Sequence, residues 1–266
     1  MALLVASAAL FALCVFPLCS AAARLRLKAS WANALLDALG VEVEADLTHA
    51  APGALLVANH VSWIDIYVIN AVLPAAFVAK EEVRHWPLLG WLVARNDTVF
   101  LRRGSRGHAR IINQEIAGLL AQGKHVAVFP EGTTTDGTHL LHFHAALLQP
   151  ALAAGRPVLP VGISYWEQDG TRSLAPRYDG DISLGQCTRA ILGRRRLVAR
   201  LVTTPLCGMH GEDRRQVAAA ARAAIASAAG LPLPHNPPEK PAGLPGEPRS
   251  DDRPTGSLNP APATLA

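Results

Sequence analysis

What this chain lacks narrows its chemistry first. Its four cysteines form no metal-binding or disulfide spacing: Cys14 and Cys19 lie in an apolar N-terminal run, while Cys187 and Cys207 are isolated, a usage compatible with a reducing compartment. No GxSxG nucleophile elbow occurs, so nothing in the sequence asks for a serine acyl-enzyme. Aromatic residues are only 5% of the chain and do not interleave with basic ones as they do on RNA-binding sheets. Nucleic acid is therefore not an expected partner, and the net charge of +4 suits an anionic substrate or an anionic membrane surface instead.

Charge is also missing from residues 1–23, which contain no Asp, Glu, Lys or Arg. As a helix this segment would be roughly 34 Å long, enough to cross or deeply enter a hydrocarbon core of about 30 Å. A cleaved signal peptide carries positive charge ahead of its apolar core, whereas here Arg24, Arg26 and Lys28 follow it. The expectation is an uncleaved anchor, with the bilayer as a partner and the rest of the chain facing the cytoplasm. Pro17 leaves open whether it spans or lies kinked in one leaflet. Residues 29–40 read as an amphipathic helix with Trp31, Leu35, Leu36 and Leu39 near one face, fitting a membrane interface or a protein core equally well.

Beyond residue 48 the pattern changes to short apolar runs alternating with helical periods. Strands are expected over 54–59, 76–79, 98–101, 125–129, 158–164 and 197–203. Helices are expected over 63–70 with Ser62 as N-cap, 86–94, 108–121, 145–154 and 214–229. That alternation predicts an α/β fold: a mixed, largely parallel sheet flanked by helices, preceded by the N-terminal membrane helix or helices. The expected organisation is an anchor over 1–23, an interfacial helix and connector over 24–48, the α/β domain over 49–230 and a tail over 231–266. Half of the 20 prolines fall in that tail, which has too few large apolar residues to order itself.

In such sheets function gathers beyond the carboxyl ends of strands. Four blocks sit there. Asn59-His60-Val61-Ser62-Trp63-Ile64-Asp65 puts a histidine at a strand end and a carboxylate where it can hold the ring, which is how a general base is built near neutral pH. Phe100-Leu101-Arg102-Arg103 places two guanidinium groups after another strand. Phe129-Pro130-Glu131-Gly132-Thr133-Thr134 supplies a glutamate and a glycine turn, and Val158-Leu159-Pro160-Val161 a strand containing proline. Taken singly, His60 and Asp65 read as well as a satisfied strand-end histidine and a helix-start acid.

Together, in this order and spacing, the four blocks resemble motifs one to four of the glycerolipid acyltransferases, most familiarly the 1-acylglycerol-3-phosphate acyltransferases, over about residues 50–165. The resemblance implies a glycerol-3-phosphate acyltransferase-like fold and acyl transfer from acyl-CoA or acyl-ACP, as co-substrate and with no cofactor, to a lysolipid hydroxyl. By the same resemblance His60 is the base and Asp65 its orienting partner. Arg103 binds an anionic head group, Phe100, Glu131, Gly132 and Thr133 line the acceptor side, and Pro160 shapes the site wall. The first acceptor this implies is 1-acyl-sn-glycerol-3-phosphate, giving phosphatidate.

Two departures bear on that acceptor. Thr134 stands where the third motif usually ends in arginine, and Asp97 and Arg102 replace the glycine and the acidic residue usual in the second. Threonine-rich third motifs resemble those of lyso-ornithine lipid acyltransferases, the alternative reading. His139, His142 and His144, with Asp136 nearby, fit no common zinc spacing, and no metal is expected. Two other classes remain as rivals: a membrane-anchored metal hydrolase using those histidines, and a noncatalytic membrane-binding protein with the same fold.

Overall fold

The computed structural model describes residues 19–81, 98–101, 106–208 and 212–232. Outside these lie residues 1–18 of the expected anchor, the expected helix over 86–94, Asp97, Arg102, Arg103 and all but the first two residues of the expected tail.

The first helix among the described residues, α1 (Ala21–Ala38), starts within the segment expected to be the anchor and runs on through Arg24, Arg26 and Lys28. Ser20 caps it by accepting the Ala23 N–H at 3.3 Å. This corrects the expectation of a membrane helix ahead of the sheet and of the membrane-associated, cytoplasm-facing location built on it. Among the described residues no helix is long and apolar enough to cross a membrane. The apolar stripe of α1 is spent on protein: Leu35, Leu36 and Leu39 are buried, and the Trp31 and Tyr67 rings lie 5.4 Å apart. Lys28 Nζ and Asn33 Nδ2 donate to the carbonyls of Ala75 and Ala71 at 2.5 and 3.2 Å, which pins α1 across the helix below it.

Next come β1 (Val41–Asp46), β2 (Leu55–Ala58), α2 (Asp65–Val72), β3 (Ala75–Lys80), β4 (Val99–Leu101), α3 (Arg106–Ala121) and β5 (His125–Val128). A 3₁₀ turn (Ala145–Leu147) and α4 (Gln149–Ala153) replace the single helix expected over 145–154; Pro150, lacking an N–H, sits in the first turn of α4 where none is needed. Then follow β6 (Val158–Glu167), α5 (Leu184–Leu192), β7 (Leu197–Thr203) and α6 (Arg214–Ala228).

The sheet order is β1-β7-β6-β2-β5-β3-β4. From β6 to β4 every pairing is parallel, whereas β7 runs antiparallel to β6 and parallel to β1. Along β2, buried on both faces, Leu56 and Ala58 join a core beneath α1, α2 and α5, and Leu55 and Val57 join one beneath α3, α4 and α6. Strand β1 and helix α5 are additions to the expected elements. Strand β1 is an edge whose Glu42 and Glu44 pair with Arg196 and Arg200 beside β7 and on it, and α5 opens on a capping box between Ser183 and Gln186.

Candidate active site

The site forms where β2, β5 and β6 lie side by side. At the end of β2 the Asn59 side chain makes a two-way clamp on β6: its Nδ2 donates to the Ile163 carbonyl at 2.9 Å and its Oδ1 accepts the Ile163 N–H at 2.8 Å. The chain then turns, and Asp65 opens α2. The expected N-cap at Ser62 is thus two residues early, since Ile64 holds that position. The reason lies in Asp65, whose Oδ2 accepts the N–H groups of Val61 and Ser62 at 2.8 and 2.9 Å and closes the turn into a ring before helical bonding begins. Ser62 is buried, with its Oγ 3.8 Å from Cys187 Sγ on α5.

The same Oδ2 lies 2.8 Å from His60 Nδ1, and Oδ1 accepts the hydroxyl of Tyr165 from β6. Backbone amides can only donate, so Oδ2 acts as an acceptor and Nδ1 carries the ring proton, leaving Nε2 as the basic nitrogen. The aspartate side chain is 0% exposed and that of the histidine 19%: the orienting group is sealed off while the ring reaches solvent. Burial, then the nearby Asp65 charge, raises the Tyr165 phenol well above its ordinary pKa, keeping it an O–H donor. Tyr165 is a site contact that the motif reading missed. The available signal was a hydroxylated aromatic continuing the largely apolar run of β6, a group that needs a partner when buried.

From β5 come the second wall and the floor. The Phe129 ring stacks on the His60 imidazole with centroids 3.9 Å apart and 10° between planes, and is itself stacked against Phe77 of β3 at 6.1 Å. Glu131 is 5% exposed, and both its oxygens are engaged by backbone: Oε1 accepts the His60 N–H at 2.9 Å and Oε2 the Leu141 N–H at 2.8 Å. It clamps the histidine's own backbone to the loop after β5. Burial pushes its carboxyl pKa up, opposed by those two amides and by His60. Gly132 sits at φ 72°, the left-handed region the turn requires. Thr133 is exposed. Thr134 donates its hydroxyl to the Tyr178 carbonyl, and the Thr135 N–H reaches the His60 carbonyl at 2.9 Å.

The remaining expected residues lie farther out in the sheet or in the loop. Pro160 pairs with Val57 in the β6–β2 register, inside the wall next to the site. Phe100 is on β4, separated from β2 in the sheet by β5 and β3. Arg103 is outside the described residues. His139 contacts Asp136 at 3.3 Å, while the His142 and His144 rings meet edge-on at 6.0 Å. Among the described residues no group of three or more His, Cys, Asp or Glu could hold a metal ion.

The arrangement is thus a tautomer-fixed imidazole, backed by a fully hydrogen-bonded carboxylate, at the rim of a parallel sheet. It can take a proton from a hydroxyl and return it to a leaving group.

Residues 40–164 match the Acyltransferase family. The chain is 41% identical over 202 residues to a lyso-ornithine lipid O-acyltransferase of Pseudomonas aeruginosa, covering 76% of this chain and 78% of that protein. A 1-acyl-sn-glycerol-3-phosphate acyltransferase of Neisseria meningitidis is 40% identical over 168 residues, covering 63% of this chain and 65% of that one. Among solved structures, the 1-acyl-sn-glycerophosphate (LPA) acyltransferase of Thermotoga maritima superposes with a TM-score of 0.58 at 25% identity, over 77% of this chain and 78% of the other.

Proposed function

The chain belongs to the glycerolipid acyltransferase family and is an acyltransferase; on that premise we propose that His60 is the general base that moves an acyl group from a thioester of coenzyme A or acyl carrier protein to a lysolipid hydroxyl. The observation that carries this is the contact of Asp65 with Nδ1 of His60 on a carboxylate that also holds two backbone amides. Nε2 takes the hydroxyl proton as the oxygen attacks the thioester carbonyl. A C–O bond forms, the C–S bond breaks, and the departing thiolate takes the proton back from the imidazolium. Asp65 stabilises that imidazolium, as the carboxylate does in a serine triad. Arg103 is assigned to the anionic group of the acceptor, which its planar fork suits.

For the acceptor we favour lyso-ornithine lipid over the 1-acyl-sn-glycerol-3-phosphate first implied by the motifs. Thr134 replaces the usual arginine and spends its hydroxyl on the Tyr178 carbonyl, so that position offers no charge to a phosphate. The Pseudomonas relative, named for lyso-ornithine lipid, supports the same reading over more of its length than the Neisseria one does. Lysophosphatidate stays as the second reading because the Neisseria and Thermotoga proteins are named for it.

A purified-enzyme assay with labelled acyl thioester decides both points. Lyso-ornithine lipid is expected to be acylated with the higher kcat/KM, and the reverse order would install the phosphate acceptor. His60→Ala is expected to lose ~10² to 10⁴-fold in kcat.

A further inference from the structure

The reaction as written uses His60 and Asp65 and leaves unassigned a buried phenol that touches Asp65. Tyr165 lies on β6, 100 residues from Asp65 in sequence, and its hydroxyl meets Asp65 Oδ1. We propose that Tyr165 is a positioning residue for acyl transfer, its O–H fixing the plane and the charge distribution of the carboxylate that orients His60. This deepens the general-base reading and rests on it.

Three observations converge. Asp65 Oδ2 already collects His60 Nδ1 and two backbone N–H groups, and these contacts by themselves pin the carboxylate at one oxygen only. Its other oxygen is sealed from water, since Asp65 is 0% exposed, and the phenol donates to it. Strand β6 is held in turn: Ile163, two residues before Tyr165 on the same face, is clamped by Asn59, the residue before His60. The turn carrying the base therefore hangs from β6 at two points, through Asn59 and through Asp65. Phenylalanine would fill the same space; a hydroxyl in a core needs a partner, and this one's partner is the carboxylate that holds the base. Tyr165 itself is 2% exposed and behind Asp65, so it touches no acceptor.

The titratable groups facing Asp65 are His60 and Glu131 from the loops after β2 and β5, Tyr165 from β6 and Cys187 from α5. Without the phenol, negative charge concentrates on Oδ2 and the imidazolium is held more tightly. Proton return to the thiolate slows, and the acidic limb of the kcat/KM profile moves to higher pH.

The test measures kcat, acceptor KM and the pH profile of the full chain for Tyr165→Phe, Asp65→Asn, the double variant and His60→Ala, together with protein carrying 3-fluorotyrosine at position 165. Tyr165→Phe is expected to lower kcat roughly ten- to a hundredfold, with KM changed by less than about twofold. Its acidic limb should rise by about half a unit or more, and 3-fluorotyrosine, a stronger donor, should move it the other way. In the Asp65→Asn background the same substitution should cost less than about threefold, because its route to the base is gone. Wild-type kcat and profile in Tyr165→Phe beside an inactive His60→Ala would overturn the proposal, as would an undiminished cost in the Asp65→Asn background. Should Tyr165→Phe fail to fold, an unmoved profile in the fluorotyrosine protein overturns it. Turnover surviving in His60→Ala would instead remove the base reading, whatever Tyr165 does.

Discussion

Glu131 and Asp65 are both buried acids beside one histidine, yet they are set apart by what they hold. Asp65 holds the ring; Glu131 holds the backbone of the same residue and that of Leu141. A carboxamide offers one acceptor oxygen for those two N–H donors. Glu131→Gln is therefore expected to cost about 1–3 kcal/mol of stability, read by denaturant titration, and to lower kcat by loosening His60. The pH dependence has a definite sign. Burial raises the folded pKa of Glu131 above its ordinary 4.5, so its contribution relative to glutamine is fully present below that value and is lost as pH rises through the raised one. The deficit of the variant should accordingly be larger at acid pH than at neutral pH, and a deficit growing with pH would mean that the two amides outweigh burial and hold the carboxyl ionised. None of this role was readable from the motif, which resembles an acceptor-side loop; backbone partners ten and 71 residues away leave no mark in sequence.

Strand β6 does more for the site than its motif proline indicates. It carries Tyr165, receives the Asn59 clamp, and lets α6 lie directly against it at Gly162. A Cβ there would stand 2.8 Å from Ala228 Cβ and 3.0 Å from the Ala229 backbone nitrogen. Gly162→Val should push α6 off the strand and destabilise the fold by about 1–3 kcal/mol in thermal melts; an unchanged Tm would mean that the helix yields without cost. The elements that were legible are those whose signal is local: the apolar runs of β2, β5 and β6, and the period of α3 closed by Gly123. Strand β1, Val-Glu-Val-Glu-Ala-Asp, alternates with period 2 only over Val41–Glu44, a signal too short to read as a strand without its partner β7 and the Glu44–Arg200 pair. The start of α2 is set by a tertiary ring around Asp65, rather than by the local propensity of Ser62, and so is not written in the local sequence.

Across the whole molecule, the alternation of strands and helices was enough to read a largely parallel sheet with function at its carboxyl ends. Sheet order was not readable, and sheet order is what makes the site: β2 lies between β5 and β6, so Glu131, His60, Asp65 and Tyr165 join in one hydrogen-bonded series although His60 and Tyr165 are 105 positions apart. The charge-free N-terminal run led to an expected membrane helix that the described fold does not contain. Arg24, Arg26 and Lys28 belong to α1, whose apolar side is taken up by the core.

The central claim is that this sheet end delivers one imidazole as the base of acyl transfer. It is tested most directly by the turnover of purified His60→Ala with labelled acyl thioester and acceptor, its fold verified by an unchanged melting profile. With His60 as the base, kcat should fall ~10² to 10⁴-fold; turnover near that of the wild type would mean that another group takes the proton.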